Sequence, residues 1–255
     1  MSIMDKTIRP LVDLDSIVYR VGFTVKEDED VSHSLGNVKS VLERILDEYK
    51  HPDPLLVLSG PTNFRESFCS TLPLVGPPSA DGSPWKYKGN RVGARKPPHY
   101  TEIREYLKNV WGAMETDGEE ADDVISSTQY EADPLTTCIV GQDKDFKGTR
   151  GLHHNWVTHK KFNVSDEDAD LFFHYQVITG DRTDHIPGIK GIGEVKGAAL
   201  IKKHRKQLKP LRSEIVSLYM KEFGDKWRDV IHEVSTLLFL KRERGKNYTD
   251  YFGVW

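Results

Sequence analysis

Three short apolar runs, each rich in branched side chains and bounded by turn-forming residues, predict buried β-strands. They cover residues 10–13, 55–58 and 137–140. Between the first two runs, apolar side chains recur at helical spacing from Val38 to Tyr49, which predicts an amphipathic helix. A strand, a helix and a second strand in this order are typical of a parallel sheet made of βαβ units. The pattern therefore predicts an α/β fold.

The hydrophobic pattern predicts further helices over residues 100–111 and 119–131. Another helix is expected after Ser165, because a capping residue and several acids there precede an apolar stretch. Residues 74–98 are rich in proline, glycine and basic side chains and have no clear period, so we expect an exposed segment.

The final third of the chain is helical in pattern and more basic than the rest. We therefore predict two domains: an α/β domain over residues 1–163 and a helical region over residues 164–255.

Composition narrows the class of protein. The chain has 255 residues, of which 37% are hydrophobic and 29% charged, enough to bury a core without covalent staples. No apolar run approaches the ~18 residues of a membrane span, and the first ten residues lack the apolar segment of a signal peptide. Cys69 and Cys138 are too few for a disulfide framework or a four-cysteine zinc site. We expect a cytoplasmic protein.

The formal net charge of −3 hides a strong segregation of charge along the chain. Residues 84–109 carry seven basic and two acidic side chains, and residues 190–212 carry eight basic and one acidic. Residues 113–123 carry six acids and no base. Basic stretches suit a polyanion and the acidic cluster suits divalent cations, so the distribution indicates a nucleic-acid partner.

Carboxylates occur in groups near the predicted strand ends and helix starts, where open α/β sheets form their sites. They are Asp13 with Asp15, Glu119 and Glu120 with Asp122 and Asp123, Asp143 with Asp145, and Asp181 with Asp184. So many carboxylates in one pocket would repel one another, and hard divalent ions relieve that repulsion. Oxygen donors without cysteine or histidine favour Mg²⁺ or Mn²⁺ over zinc. Two such ions are a standard device for phosphodiester hydrolysis, so we predict a site for two Mg²⁺ or Mn²⁺ ions.

Six motifs follow one another along the chain. They are VDLDSIVYR, NFRESF, YKGNR, GEEADDV, GQDKDF and GDRTDHIPGIKGIGEVKGA. This ordered set resembles the 5′ nucleases of the flap-endonuclease superfamily, which include the 5′-nuclease domain of bacterial DNA polymerase I and stand-alone phage 5′–3′ exonucleases. The resemblance covers roughly residues 9–240.

The resemblance implies a fold and a set of residue roles. The fold is a PIN-like or resolvase-like parallel sheet flanked by helices, with a helix-hairpin-helix in the helical C-terminal region and an arch or clamp at about residues 74–98. The implied metal ligands are Asp13, Glu120, Asp122, Asp123, Asp143 and Asp145, with Asp181 and Asp184 for a second metal. Lys88 and Arg91, with Arg65, would contact the scissile phosphate, and Tyr87 would stack on a base.

The sequence departs from the family at one acidic position. The family usually has an aspartate after the second strand, where this chain has Ser59 and Gly60. Asp15 is not general in the family; it either compensates as a further metal ligand or caps a turn.

The glycine-rich run after Asp184 predicts contacts to a nucleic-acid backbone. Gly188, Gly191 and Gly193 permit a tight turn, and the N–H groups at the start of the next helix can hold a phosphate. Basic side chains follow closely: Lys190, Lys196, Lys202, Lys203, Arg205 and Lys206. Such contacts carry no sequence information, so we expect binding to duplex DNA of any sequence. The resemblance also implies a K⁺ ion in this hairpin.

We therefore predict a metal-dependent 5′ nuclease, an exonuclease or a flap endonuclease. It would act as a monomer on duplex, nicked or flap DNA, with RNA–DNA hybrids as further candidates. Two alternatives remain open. In DLDSIV, Asp13 could be the nucleophile of a haloacid-dehalogenase-type phosphatase, which leaves YKGNR and the hairpin unexplained. The missing acid after the second strand would instead suit a DNA-binding relative without catalysis.

Overall fold

The computed structural model describes residues 7–205 and 207–255 and divides into two compact units. The first unit comprises residues 7–63, 95–165 and 242–244. The second comprises residues 64–94, 166–241 and 245–255, except residue 206. Residues 64–94, which precede the predicted boundary at 163, are thus grouped with the helical part of the chain.

A six-stranded sheet forms the centre of the first unit. Its strands are β1 (Arg9–Asp13), β2 (Leu55–Leu58), β3 (Met114–Glu115), β4 (Thr137–Val140), β5 (Gly151–Asn155) and β6 (Lys160–Val164). They lie in the order β3-β2-β1-β4-β5-β6, and all neighbouring pairs are parallel except β5 and β6. The α/β fold is confirmed, with one antiparallel strand at an edge that the sequence did not predict.

Four helices flank this sheet. They are α1 (Leu14–Gly22), α2 (Val31–Tyr49), α4 (Tyr100–Trp111) and α5 (Ala121–Glu131), with α3 belonging to the second unit. The Tyr49 hydroxyl of α2 donates to Cys138 Sγ at 3.2 Å, whereas the Thr137 hydroxyl donates to Gln129 of α5 at 3.2 Å. Because adjacent strand residues point to opposite faces, α2 and α5 cover opposite faces of the sheet.

The core of the first unit follows from the predicted helical pattern. Val38, Leu42 and Ile45 of α2 are buried against Val12 of β1 and Ile103 of α4. Since these apolar positions recur at three- and four-residue spacing, α2 presents one apolar face to the sheet and its polar face to solvent.

The second unit is helical. Its helices are α3 (Leu72–Val75), α6 (Asp166–Thr179), α7 (Glu194–Lys203), α8 (Leu208–Phe223), α9 (Trp227–Leu238) and α10 (Tyr248–Phe252). Trp85 and Tyr87 are buried in the same core as Phe173 of α6, so the expectation of an exposed segment is wrong for these two side chains. Phe252 of the C-terminal helix stacks on Phe173 at 5.3 Å.

None of the helices within residues 7–205 and 207–255 has the length and apolar character needed to span a bilayer.

Candidate functional site

The sheet order puts two of the predicted acidic groups beside each other. β1 lies between β2 and β4, so the order of strands reverses there, and ligands bind beyond the carboxyl ends of strands at such a point. Asp13 is the last residue of β1, and Asp143 follows the end of β4. Their charges interact, together with that of Asp15.

Asp13 combines burial with a high local negative charge. Its side chain caps α1 by accepting the Asp15 N–H at 3.1 Å, and only 8% of the residue is exposed. Burial, followed by the charges of Asp15 and Asp143, raises the pKa of Asp13 to about 7. A divalent cation at this carboxylate would offset the mutual repulsion of Asp13, Asp15 and Asp143.

Gly141, the residue after β4, lies close to Asp13 and to the Phe146 ring, where a side chain would have little room. A Cβ at this position would lie 2.8 Å from the Phe146 ring and 3.5 Å from Cβ of Asp13. Asp143 also lines a cavity of about 360 Å³, in part together with Lys144, Lys147 and Phe162. Asp143 itself is exposed and accepts the Asp145 N–H at 2.9 Å.

Asp15 has protein partners on both carboxylate oxygens. Its Oδ2 accepts the Ser59 N–H at 2.9 Å, and its Oδ1 accepts Nη1 of Arg104 at 3.1 Å. The second terminal nitrogen of Arg104, Nη2, donates to the Ser59 carbonyl and to Glu115 Oε1, each at 2.6 Å.

The third acidic group begins α5. Glu120 and Asp123 form a reciprocal capping box at this helix start, and Asp123 is fully buried. The Ala121 N–H donates to Ser59 Oγ at 3.0 Å, so the residue after β2 holds the start of α5. Asp122 lies in the first turn, half-buried.

These donors can be compared with what a metal requires. Among the described residues, no group of three or more histidine, cysteine, aspartate or glutamate side chains is close enough to hold an ion by itself. Zinc sites use three or four protein ligands, whereas Mg²⁺ keeps several waters and binds through one or two carboxylates. The oxygen donors Asp13 and Asp143 therefore fit a hydrated Mg²⁺ or Mn²⁺.

The second unit brings together two other predicted motifs. Asp184 Oδ1 accepts Nη2 of Arg91 at 2.7 Å, and its Oδ2 accepts the Tyr87 hydroxyl at 2.9 Å and lies 3.9 Å from Nζ of Lys88. The Lys88 N–H also donates to the Asp184 carbonyl at 3.0 Å. Asp181 is buried, and its Oδ1 accepts the Thr183 N–H at 2.7 Å.

Arg65 lies apart from these groups in the second unit. It is only 2% exposed, and its guanidinium donates to the carbonyls of Leu237 and Phe239 at the end of α9. Predicted to contact the scissile phosphate, Arg65 is instead placed where it anchors a helix C-terminus.

The hairpin glycines have different environments. A Cβ at Gly188 would lie 2.2 Å from the Thr179 carbonyl, so this glycine is required by the fold. Gly191 has a φ of +77°, and Gly193 caps α7 with open space around it. Only the last two have the conformation or the open space that the predicted turn and phosphate contact require, and the contact itself stays a prediction.

The basic side chains near the hairpin are also not equivalent. Lys196 Nζ donates to the Gly191 carbonyl at 2.8 Å, so this carbonyl already has a positively charged partner, the lysine ammonium group. Lys203 pairs with Glu214 at 2.8 Å, and Arg205 pairs with Asp168 at 3.1 Å. Lys190 and Lys202 are exposed, and Lys206 lies outside the described residues.

Sequence reasoning missed two residues at these sites. Arg104 lies on an amphipathic helix, where a basic residue usually faces solvent, so no local pattern marked it. Asn90 donates to the carbonyls of Arg182 and Thr183, and its place within YKGNR could have indicated a functional role.

Comparison with known proteins gives sequence relatives and fold neighbours, although no family model matches the chain. DNA polymerase I of Bacillus subtilis is 25% identical over an alignment of 247 positions, and the match covers 86% of this chain and 26% of that protein. The exodeoxyribonuclease of Enterobacteria phage T3 is 32% identical over an alignment of 114 positions, and the match covers 42% of this chain and 38% of that protein.

A solved structure of the phage T5 flap endonuclease, in a complex with DNA and metal ions, is similar at a TM-score of 0.53. It is 16% identical, and the match covers 90% of this chain and 98% of that one. The predicted resemblance to the 5′ nucleases and the predicted fold are confirmed. The chain spans about a quarter of the length of the polymerase relative.

Proposed function

We propose that this chain is a divalent-metal-dependent 5′ nuclease that hydrolyses DNA phosphodiesters. The observation that supports it most directly is the buried carboxylate of Asp13, which lies at the switch point of the sheet and interacts with the charges of Asp15 and Asp143. Such an arrangement is costly without a bound cation, and it stands where α/β enzymes bind ligands.

Asp13 and Asp143 would hold a Mg²⁺ or Mn²⁺ ion, with Asp122 and Asp145 reaching it directly or through water. Such an ion lowers the pKa of a bound water and neutralises developing charge on phosphate oxygens. The protein's own part is to keep Asp13 oriented, which the cap on α1 and the buried position accomplish. A second ion held by Asp181 and Asp184 is proposed from the resemblance; Asp184 would bind it only by exchanging its contacts with Arg91 and Tyr87 for the ion.

Lys88 and Arg91 would bind the scissile phosphate. Both side chains form ion pairs with the Asp184 carboxylate, so their two positive charges are already held side by side. A guanidinium binds phosphate through two parallel hydrogen bonds, and an ammonium adds a point charge that stabilises negative charge as it develops. Tyr87, buried and bonded to Asp184, would position this carboxylate rather than stack on a base.

The substrate would be DNA of any sequence near a 5′ end. The open space at Gly193 and the exposed Lys190 and Lys202 suit backbone phosphates, which carry no base information. The related phage protein is named as an exodeoxyribonuclease, and the T5 neighbour as a flap endonuclease.

The test is product analysis on 5′-labelled flap, nicked and blunt DNA with Mg²⁺, Mn²⁺ or EDTA. Asp143→Asn removes a charged donor, so we expect cleavage to fall by at least about 1,000-fold, since metal activation contributes several kcal/mol to catalysis. DNA binding should remain within a few-fold. Asp47→Asn, an exposed acid on α2, is the matched control.

Metal-dependent cleavage lost in Asp143→Asn but not in Asp47→Asn supports the proposal. Binding of DNA without cleavage in any metal would instead support a non-catalytic relative. Normal cleavage by Asp143→Asn would remove this residue from the metal centre.

A further inference from the structure

We propose that Arg104 is a positioning residue for the carboxylates of the first unit, and that Asp15, which it holds, is a structural carboxylate rather than a metal ligand. This inference rests on the proposed function, because it concerns the same group of acids.

Arg104 bridges three acceptors that belong to different parts of the chain. Its side chain is only 10% exposed, and its two terminal nitrogens reach Asp15, the Ser59 carbonyl and Glu115 at 2.6–3.1 Å. These acceptors lie in the first turn of α1, directly after β2, and at the end of β3. A planar guanidinium presents several donors in a rigid fork, which suits one side chain that must fix three elements together.

The contacts of Asp15 leave no carboxylate oxygen without a protein donor. Oδ1 accepts Arg104, and Oδ2 accepts the Ser59 N–H. To bind a metal ion, Oδ1 would have to give up its charge-assisted hydrogen bond with Arg104, and Oδ2 its hydrogen bond with the Ser59 N–H. The neighbouring Asp13 is the better candidate for a metal ligand, because it ends β1 at the point where the strand order reverses, beside β4, which Asp143 follows.

The network continues from Asp15 to the other acids. Ser59 bonds Asp15 through its N–H, Arg104 through its carbonyl, and the Ala121 N–H through Oγ. The start of α5, which carries Asp122 and Asp123, is thus tied to the first turn of α1, where Asp13 is the N-cap. Moving Arg104 would therefore shift both acidic groups.

The same contacts account for the departure at Ser59 and Gly60. A Cβ at Gly60 would lie 1.8 Å from the Thr116 carbonyl, so no side chain, acidic or other, can stand there. Ser59 uses its hydroxyl on α5. The negative charge at this place comes from Asp15, whose carboxylate meets the Ser59 N–H and is balanced by Arg104.

The experiment measures Mn²⁺ binding by calorimetry without DNA, and single-turnover cleavage of a 5′-flap substrate at saturating Mn²⁺. The variants are Asp13→Asn, Asp15→Asn, Arg104→Gln and the double variant Asp15→Asn with Arg104→Gln. Lys108→Gln is the matched control, because Lys108 pairs with Glu115 at 3.3 Å, at the edge of the same cluster. Thermal melts show which variants fold.

We expect Asp13→Asn to weaken Mn²⁺ binding at least 30-fold, and Asp15→Asn to change it by less than threefold. Arg104→Gln should change Mn²⁺ binding by less than threefold, since the loss of a positive charge favours the ion while the shifted carboxylates hold it less well, but it should slow cleavage at least tenfold. Because Arg104 acts through Asp15, the double variant should be no slower than the slower single variant. Lys108→Gln should match the wild type in both measurements.

The inference is overturned by equal loss of Mn²⁺ binding in Asp15→Asn and Asp13→Asn, which would make Asp15 a ligand, or by wild-type cleavage in Arg104→Gln. Multiplying effects in the double variant would also contradict it. If Arg104→Gln fails to fold, Arg104→Lys keeps the charge without the fork and should still be slower than the wild type. Wild-type protein that cuts no DNA would contradict the proposed function, whereas the Mn²⁺ measurements would still decide the role of Asp15.

Discussion

Burial shifts the pKa values of single side chains in the first unit. The direction of the shift depends on whether the charged form of the side chain is negative or positive. Burial disfavours the charged form, so it raises the pKa of the acid Asp13 to about 7 and lowers the pKa of the base His153 to about 4. His153 Nε2 lies 2.8 Å from the Thr149 carbonyl, and its ring stacks on Phe162 at 5.1 Å. The structure thus holds His153 in its neutral form.

This predicts an acid-sensitive contribution to stability from His153. Its pKa is lower in the folded protein than the ordinary value of 6.5, so the unfolded chain binds more protons between pH 6.5 and about 4. The stability that His153 contributes is therefore complete above pH 6.5 and is lost as the pH falls towards 4. His153→Gln keeps a donor for Thr149 without a titrating group.

Urea unfolding measures this effect. Between pH 7 and 4.5, the wild type should lose about 2 kcal/mol more than His153→Gln. The exposed His33→Gln serves as the control and should follow the wild type. Parallel pH profiles for the wild type and His153→Gln would show that the buried ring does not titrate as expected.

At the scale of elements, close approach between backbones determines where glycine is required. Gly180 ends α6 with a φ of +68°, and a Cβ there would lie 2.4 Å from the Gly188 nitrogen. A Cβ at Gly188 would in turn meet the Thr179 carbonyl. The two glycines therefore let the chain after α6 return against itself before the hairpin begins.

We predict that Gly188→Ala destabilises the protein by about 3 kcal/mol, since the clashing atoms belong to the backbone and cannot rotate away. Gly193→Ala is the control: nothing lies within 4 Å of its Cβ, and the change at an N-cap should cost less than about 1 kcal/mol. Denaturant melts compare the two. Equal losses would show that the approach at Gly188 can relax.

At the scale of the whole molecule, the proposed binding of DNA depends on the segregation of charge along the chain. The net charge is −3, yet the basic residues 190–212 are nearly free of acids in sequence. Folding offsets two of these positive charges, because Lys203 pairs with Glu214 and Arg205 pairs with Asp168. Exposed lysines such as Lys202 keep their charge available for phosphate.

The two neighbouring lysines should therefore differ in their contribution to DNA binding. Lys202→Gln should lower the slope of log K against log salt by about 1, because one phosphate contact releases about one counterion. Lys203→Gln should change the slope less, since its charge is already balanced by Glu214 at 2.8 Å. Fluorescence anisotropy with duplex DNA over a range of KCl concentrations tests this. Indistinguishable slopes for the wild type and Lys202→Gln would remove this surface from the interface.

The sequence by itself determined those strands, helices and candidate functional motifs that depend on a local pattern of residues. The strands at 10–13, 55–58 and 137–140 and the helix ending at Tyr49 follow from hydrophobic spacing, which acts between near neighbours. The order of the acidic and basic motifs likewise sufficed to identify the resemblance to 5′ nucleases.

Only the tertiary structure decided which polar groups meet. Arg104 and Asp15 are 89 residues apart, and the order of strands brings them together. The burial of Arg65, Trp85 and Tyr87 was equally invisible, because Trp85 and Tyr87 are flanked by polar or turn-forming residues and an arginine is usually exposed. Long-range pairing depends on the sheet order and on packing between distant segments, which no local period encodes.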